Sequence, residues 1–225
     1  MADLGVVLAD IASILGSYQT HTYVANQVIR YTFFDSLPDI TTTYGSANAG
    51  YFGTGPNGPG GVPYFAAFDP AQREKIREIF DQIERITSLH FELVGINENP
   101  DIRFGISEMS GAPSGAAAGV TFGMSFGQDI FLDDDQVFQL ALGQPGYTTL
   151  IHEIGHALNL RDTSTGIPPL GIEAPNSHRV TVMADVGGSI DGFYGSSPLL
   201  LDIAALQERY LLHPGSDLHK TLIEK

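Results

Sequence analysis

Residues 148–162 read Thr-Thr-Leu-Ile-His-Glu-Ile-Gly-His-Ala-Leu-Asn-Leu-Arg-Asp, and this stretch constrains the chain more than any other. His152 and His156 are four residues apart, with Glu153 directly after the first of them. On an α-helix that spacing leaves two side chains about 40° apart around the axis and roughly 6 Å along it, on one face. Two imidazoles so placed can bind one zinc ion, and the intervening glutamate can polarise a water without being a ligand. Leu150, Ile151, Ile154, Leu158 and Leu160 give the same segment an apolar side. The expectation is a buried helix with its histidines facing a cleft.

Two ligands are too few for a zinc site, so a third must come from elsewhere. To return a side chain to the metal, the backbone must turn sharply after the helix. Such a turn needs a residue comfortable at positive φ, glycine first and asparagine second. Asn159 stands three residues after His156, and Asp162 three residues after that. Carboxylate oxygen is an acceptable zinc ligand. Asp162 is thus one candidate for the third ligand; His178 and Asp185 are others, and Glu173, in a Pro/Gly-rich segment, is a weaker one. His21, His90, His213 and His219 read as ordinary surface or satisfied histidines.

His-Glu-Ile-Gly-His-Ala-Leu-Asn-Leu-Arg-Asp resembles the metzincin zinc-protease pattern HExxHxxGxxH, with Asn159 for the glycine and Asp162 for the third histidine. Val182-Met183-Ala184 lies where metzincins carry a methionine turn beneath the metal. Residues 179–183 and 198–207, ending Asp202-Ile-Ala-Ala-Leu-Gln207, are similar to the end of a serralysin catalytic domain. Phe65–Phe68, Asp101–Phe104 and Gly146–Thr149 extend the similarity over roughly residues 28–212. The resemblance implies a zinc metalloendopeptidase, secreted from bacteria, with His152, His156 and Asp162 as ligands, Glu153 as general base and Met183 in the turn. In serralysins a tyrosine two residues after the methionine can reach the zinc; here that position is Asp185.

The chain has 225 residues, 43% hydrophobic and 16% charged, with a formal net charge of −15 and no cysteine. That composition is globular, and its acidity argues against nucleic-acid binding. No run of about 18 apolar residues suggests a membrane span. Without cysteine there are no disulfides and no thiol to cap a metal. The N-terminus has no basic residue ahead of its apolar run and makes a poor cleavable signal; residues 3–15 read as a short helix. A monomer is expected.

Val28–Phe34 alternates as a strand, and residues 35–64 form a long loop rich in Gly, Pro, Asn, Ser and Thr. Asp69–Thr87 is an amphipathic helix with Asp69 as N-cap and Pro70 at the first helical position. Strands are expected at Leu89–Val94, Asp101–Ser107, Val120–Ser125 and Asp129–Leu132, a metal-binding helix over 147–160 and a last helix over 199–211. For the adjacent Asp133, Asp134 and Asp135 a calcium ligand group and a solvated turn are both open, although three neighbours in a turn cannot all face one ion. The order predicts an α+β fold, metzincin-like: a twisted, mixed, five-stranded sheet on two long helices. Residues 1–27 would form an extension. Residues 28–225 would form the catalytic domain, divided into an upper part (28–159) and a smaller lower part (160–225), with the cleft between them.

These expectations converge on hydrolysis of an extended polypeptide that pairs with an edge strand, Val120–Ser125 or Asp129–Leu132. A carboxylate ligand lowers the positive charge of the site, which predicts a weaker Lewis acid and modest activity. Two other classes of function fit the same residues. One is a non-catalytic, zinc-stabilised binding or adhesion module; the other is a protease that processes only its own parent chain.

Overall fold

A computed structural model describes residues 14–15, 23–36, 38, 43, 65–109, 118–124, 127–163, 181–184 and 194–210. The expected N-terminal helix and the long loop fall almost wholly outside these residues. His21, Glu173, His178, Asp185, His213 and His219 fall outside them as well.

The described residues form an α+β fold with a mixed sheet and three helices. Strand β1 (Val28–Phe33) is followed by a two-residue strand β2 (Phe65–Ala66) and helix α1 (Pro70–Ile86). Then come β3 (His90–Leu93), β4 (Ile102–Ser107), β5 (Gly119–Met124) and β6 (Gly127–Asp133), with α2 (Pro145–Ala157) and α3 (Leu200–Tyr210) last. The sheet order is β3-β1-β4-β6-β5, and β2 pairs antiparallel with β4. Neighbours β3, β1, β4 and β6 run parallel, whereas β5 runs antiparallel to β6. Five strands were expected; the sixth, β2, is too short to show the alternation that marks a strand in sequence. Of the two candidate edge strands, β5 is the edge among the described residues, and β6 is flanked by β4 and β5.

Helix α1 starts where its sequence dictates. The Asp69 carboxylate accepts from the Gln72 amide N–H at 2.8 Å, and the Gln72 side chain accepts from the Asp69 amide N–H at 2.8 Å. This reciprocal cap contributes about 1 kcal/mol. Ile76, Ile79, Phe80 and Ile83 then fall on one face and are buried. Phe80 meets β1 and β4 through aromatic packing: its ring lies 4.7 Å from Tyr31 and 6.0 Å from Phe104. Each such side chain contributes roughly 1.5–3 kcal/mol by leaving water. Between β4 and β6, Arg103 forks onto Asp129 with two bonds of 2.6 Å. The Asp129 side chain is wholly buried, so this bidentate pairing is what lets a carboxylate sit inside the sheet.

Helix α2 lies under β5 and β6 and is buried along most of its length: Tyr147, Leu150, Ile151, Ile154 and Ala157 all join the core. Helix α3 adds Leu201, Ala205, Leu206 and Tyr210, and the Tyr210 hydroxyl donates to the Leu158 carbonyl at 2.8 Å. Ile14 belongs to the same core, fully buried. Its carbonyl accepts from the Arg161 amide N–H at 3.1 Å, and Leu15 bridges to Leu160. A piece of the N-terminal segment is therefore seated beside the end of α2.

Asp133 ends β6 with both carboxylate oxygens taken by main-chain donors, Met109 N–H at 2.9 Å and Asp135 N–H at 3.0 Å. Among the described residues the acidic run gathers no cluster of metal-ligating groups comparable to the one on α2. No described helix is long and apolar enough to cross a membrane.

Candidate metal centre

Helix α2 carries His152, Glu153 and His156, and its ending brings a further residue to them. Asn159 has φ 63°, the left-handed conformation that few side chains tolerate. Around it the Asn159 amide donates to the His156 carbonyl and the Leu160 amide to the Gly155 carbonyl, both at 2.9 Å. These two bonds make a Schellman turn with asparagine in the usual glycine position. The turn reverses the chain so that Asp162 faces the two histidines.

The Asp162 Oδ1 atom lies 3.2 Å from His152 Nε2 and 3.3 Å from His156 Nε2. The imidazole rings are 4.5 Å apart and nearly perpendicular, at 89°. One ligand atom from each of the three residues falls within 4.8 Å of the others. The three side chains are 14–25% exposed, so the cluster opens to solvent without being a surface group. Asp162 is itself pinned on both sides: Arg161 N–H by the Ile14 carbonyl and Thr163 N–H by the Met183 carbonyl at 3.0 Å.

Each imidazole is oriented by its other nitrogen. His152 Nδ1 contacts the Val182 carbonyl at 2.8 Å, and His156 Nδ1 contacts the Leu160 carbonyl at 3.0 Å. A carbonyl can only accept, so Nδ1 carries the proton in both rings and Nε2 is the nitrogen that could ligate a metal. Fixing the tautomer in this way is the usual supporting arrangement of a metal-ligating histidine. Two neutral imidazole nitrogens and one carboxylate oxygen, converging from a helix and the turn after it, are a donor set that suits zinc and leaves room for a fourth group.

Beneath the cluster Met183 is fully buried in a turn at Val182–Met183. A Cβ on Gly155 would come within 2.5 Å of the Met183 sulfur, which explains a glycine in mid-helix. The turn is held by Asp202 of α3, a residue to which the sequence reading gave no role. Its buried carboxylate accepts from the Thr181 hydroxyl, from Val182 N–H at 2.9 Å and from Leu199 N–H at 2.8 Å. Burial pushes the Asp202 carboxyl up, and these donors oppose the shift. The path from Asp202 through Val182 to His152 Nδ1 thus links the last helix to the cluster. The run that Asp202 begins stands out in the sequence, but nothing there assigns its carboxylate a role; only the fold shows that the helix start meets this turn.

Glu153 is buried, 5% exposed, and points toward β5. Its Oε2 accepts from the Thr121 hydroxyl at 2.7 Å. The structure thus brings together His152, His156, Asp162, Glu153 and Met183, while His90 sits exposed on β3, away from them.

In the metal-free protein the cluster carries a proton. Burial disfavours the charged imidazole of His152, but the hydrogen bond to Asp162 and the charges of Glu153 and Asp162 outweigh it and raise its pKa to about 9. Burial likewise acts to raise the Asp162 carboxyl, and the two histidines more than reverse this, holding it well below the usual carboxylate range. Because the His152 pKa is raised, this pair stabilises the metal-free fold fully below about pH 6.5 and loses that contribution as pH rises through about 9. A metal must displace the proton. At about pH 7.5, zinc binding should release roughly one proton, falling toward none above pH 9. Titration calorimetry in buffers of different ionisation enthalpy measures this, and proton-neutral binding at about pH 7.5 would contradict it.

No protein-family model matches this chain, and no curated protein matches it. It is an α+β protein carrying a His–His–Asp group able to hold a metal ion.

Proposed function

We propose that this chain is a zinc-dependent endopeptidase of metzincin type, with His152, His156 and Asp162 as ligands and Glu153 as general base. The observation that carries the reading is the combination of a converging three-donor cluster with a buried glutamate on the same helix, next to one ligand and facing an edge strand. A metal that only braces a fold needs no such carboxylate.

The residues divide the work by position. Among the described residues no strand pairs with the outer side of β5, so an extended polypeptide can add there and lie across the cleft above α2. A zinc ion, when bound, supplies Lewis acidity to a scissile carbonyl and acidifies a water. Glu153 takes a proton from the attacking water and returns it to the departing amine. With Oε2 engaged by Thr121, the proton passes through Oε1. Asp162 partly neutralises the metal's charge, which fits modest turnover. Methionine turn, lower subdomain and bacterial secretion belong to the same proposal, as does a monomeric state.

Incubation with an unstructured protein such as casein tests it. Degradation is expected, abolished by a zinc chelator and restored by zinc. If zinc-loaded protein leaves casein and unstructured peptides intact, the protease reading fails, and a zinc-stabilised binding module takes its place.

A further inference from the structure

Thr121 stands on the edge strand, and its side chain points down onto helix α2. Its hydroxyl has two acceptors in reach, both on the same residue: Glu153 Oε2 at 2.7 Å and the Glu153 main-chain carbonyl at 2.9 Å. A hydroxyl has one proton to donate. A carboxylate is the stronger acceptor, so an ionised Glu153 draws the bond to Oε2. The main-chain carbonyl of the same residue is a second acceptor within reach.

Two positions earlier on the same strand face, Gly119 bears on the same side chain. A Cβ there would lie 2.8 Å from Glu153 Cγ and 3.1 Å from Oε1. Both contacts come from one strand whose register is fixed by β6, with Gly119 opposite Leu132 and Thr121 opposite Ile130. Gly119 leaves the space that the glutamate stem occupies, and Thr121 supplies the donor that fixes its end.

We infer that Thr121 is a positioning residue for Glu153, and that the Gly119-Val120-Thr121 segment of the edge strand sets the direction in which the general base points. This rests on the protease reading above, and it adds that the strand expected to receive substrate also aims the base. Substrate pairing along β5 and orientation of Glu153 are then mechanically joined, because both depend on the placement of the same few residues.

The test compares wild type, Thr121→Val, Thr121→Ser and Gly119→Ala, each zinc-loaded, with Glu153→Ala as the reference for loss of the base. Thr121→Val keeps the shape and removes the hydroxyl. It should lower kcat about tenfold or more, the loss expected for a hydrogen bond to a charged group, with KM and zinc content unchanged. Thr121→Ser should recover activity to within about threefold of wild type. Gly119→Ala should lower kcat by displacing Glu153. A readout independent of turnover is the metal-free crystal structure. The Glu153 carboxylate should keep one rotamer in wild type and Thr121→Ser, and leave it in Thr121→Val. Equal kcat and an unmoved Glu153 in Thr121→Val, with Glu153→Ala inactive, would overturn the inference and leave the protease reading standing. A fall in activity that Ser does not rescue would reduce Thr121 to a packing role. Wild type without zinc-dependent hydrolysis would overturn both.

Discussion

Glu153→Ala should abolish peptide hydrolysis while leaving zinc and fold in place. The general base contributes about 10²–10⁴-fold by itself, and lost water activation adds to that. Glu153 supplies no atom to the His152–His156–Asp162 group, whose ligand atoms converge without it. Its removal should therefore not cost the metal. Glu153→Gln is the companion variant, since the amide keeps the volume and still offers the Thr121 hydroxyl an oxygen. Metal content by mass spectrometry and the melting temperature, read beside casein degradation, separate chemistry from folding. Wild-type turnover in either variant would mean that the activity arises elsewhere.

Asp162→Ala should cost zinc affinity more than the roughly 10–100-fold typical of losing an outer-shell partner, because a ligand itself is removed. The ligand is pre-positioned: bonds at Arg161 and Thr163 hold the main chain on either side of it, and the Asn159 turn aims it. A carboxylate so held should close to about 2.0–2.2 Å from a bound zinc. His178→Ala, in contrast, should leave affinity unchanged. Asp162→His should bind zinc comparably, provided the longer side chain fits the pinned turn. Competition against a chelator of known affinity reads all three. Zinc retained by Asp162→Ala and lost by His178→Ala would reassign the third ligand.

The parts of this molecule that were legible in the sequence are those encoded by local chemistry. Asp69 and Pro70 announce α1, and its start lies where they put it. Strands lie at 28–33 and 102–107, where they were expected, and Asn159 signals a left-handed turn because so few residues adopt one. The unread parts depend on partners distant in sequence. That β5 and not β6 forms the edge is decided by β4 pairing with β6 across a separation no local pattern records. Asp202 acts through Thr181 and Val182, and Thr121 through Glu153, 32 residues away. Such roles belong to pairs, and a single residue type on a helix or strand does not reveal them.

The hold of Ile14 on Arg161 has a consequence for the metal. One main-chain bond and the Leu15–Leu160 bridge tie the N-terminal segment to the residue next to Asp162. Two binding events that share an element are reciprocal: the factor by which one strengthens the other is the same in either direction. If a bound zinc ion fixes Asp162 and so tightens the hold on Ile14 and Leu15, whatever pries those residues away would loosen the zinc by an equal factor. Slower hydrogen exchange at the Arg161 amide on zinc loading would register this coupling. In the proposed zinc-bound protein, Ile14 and Leu15 would then be a handle on metal occupancy.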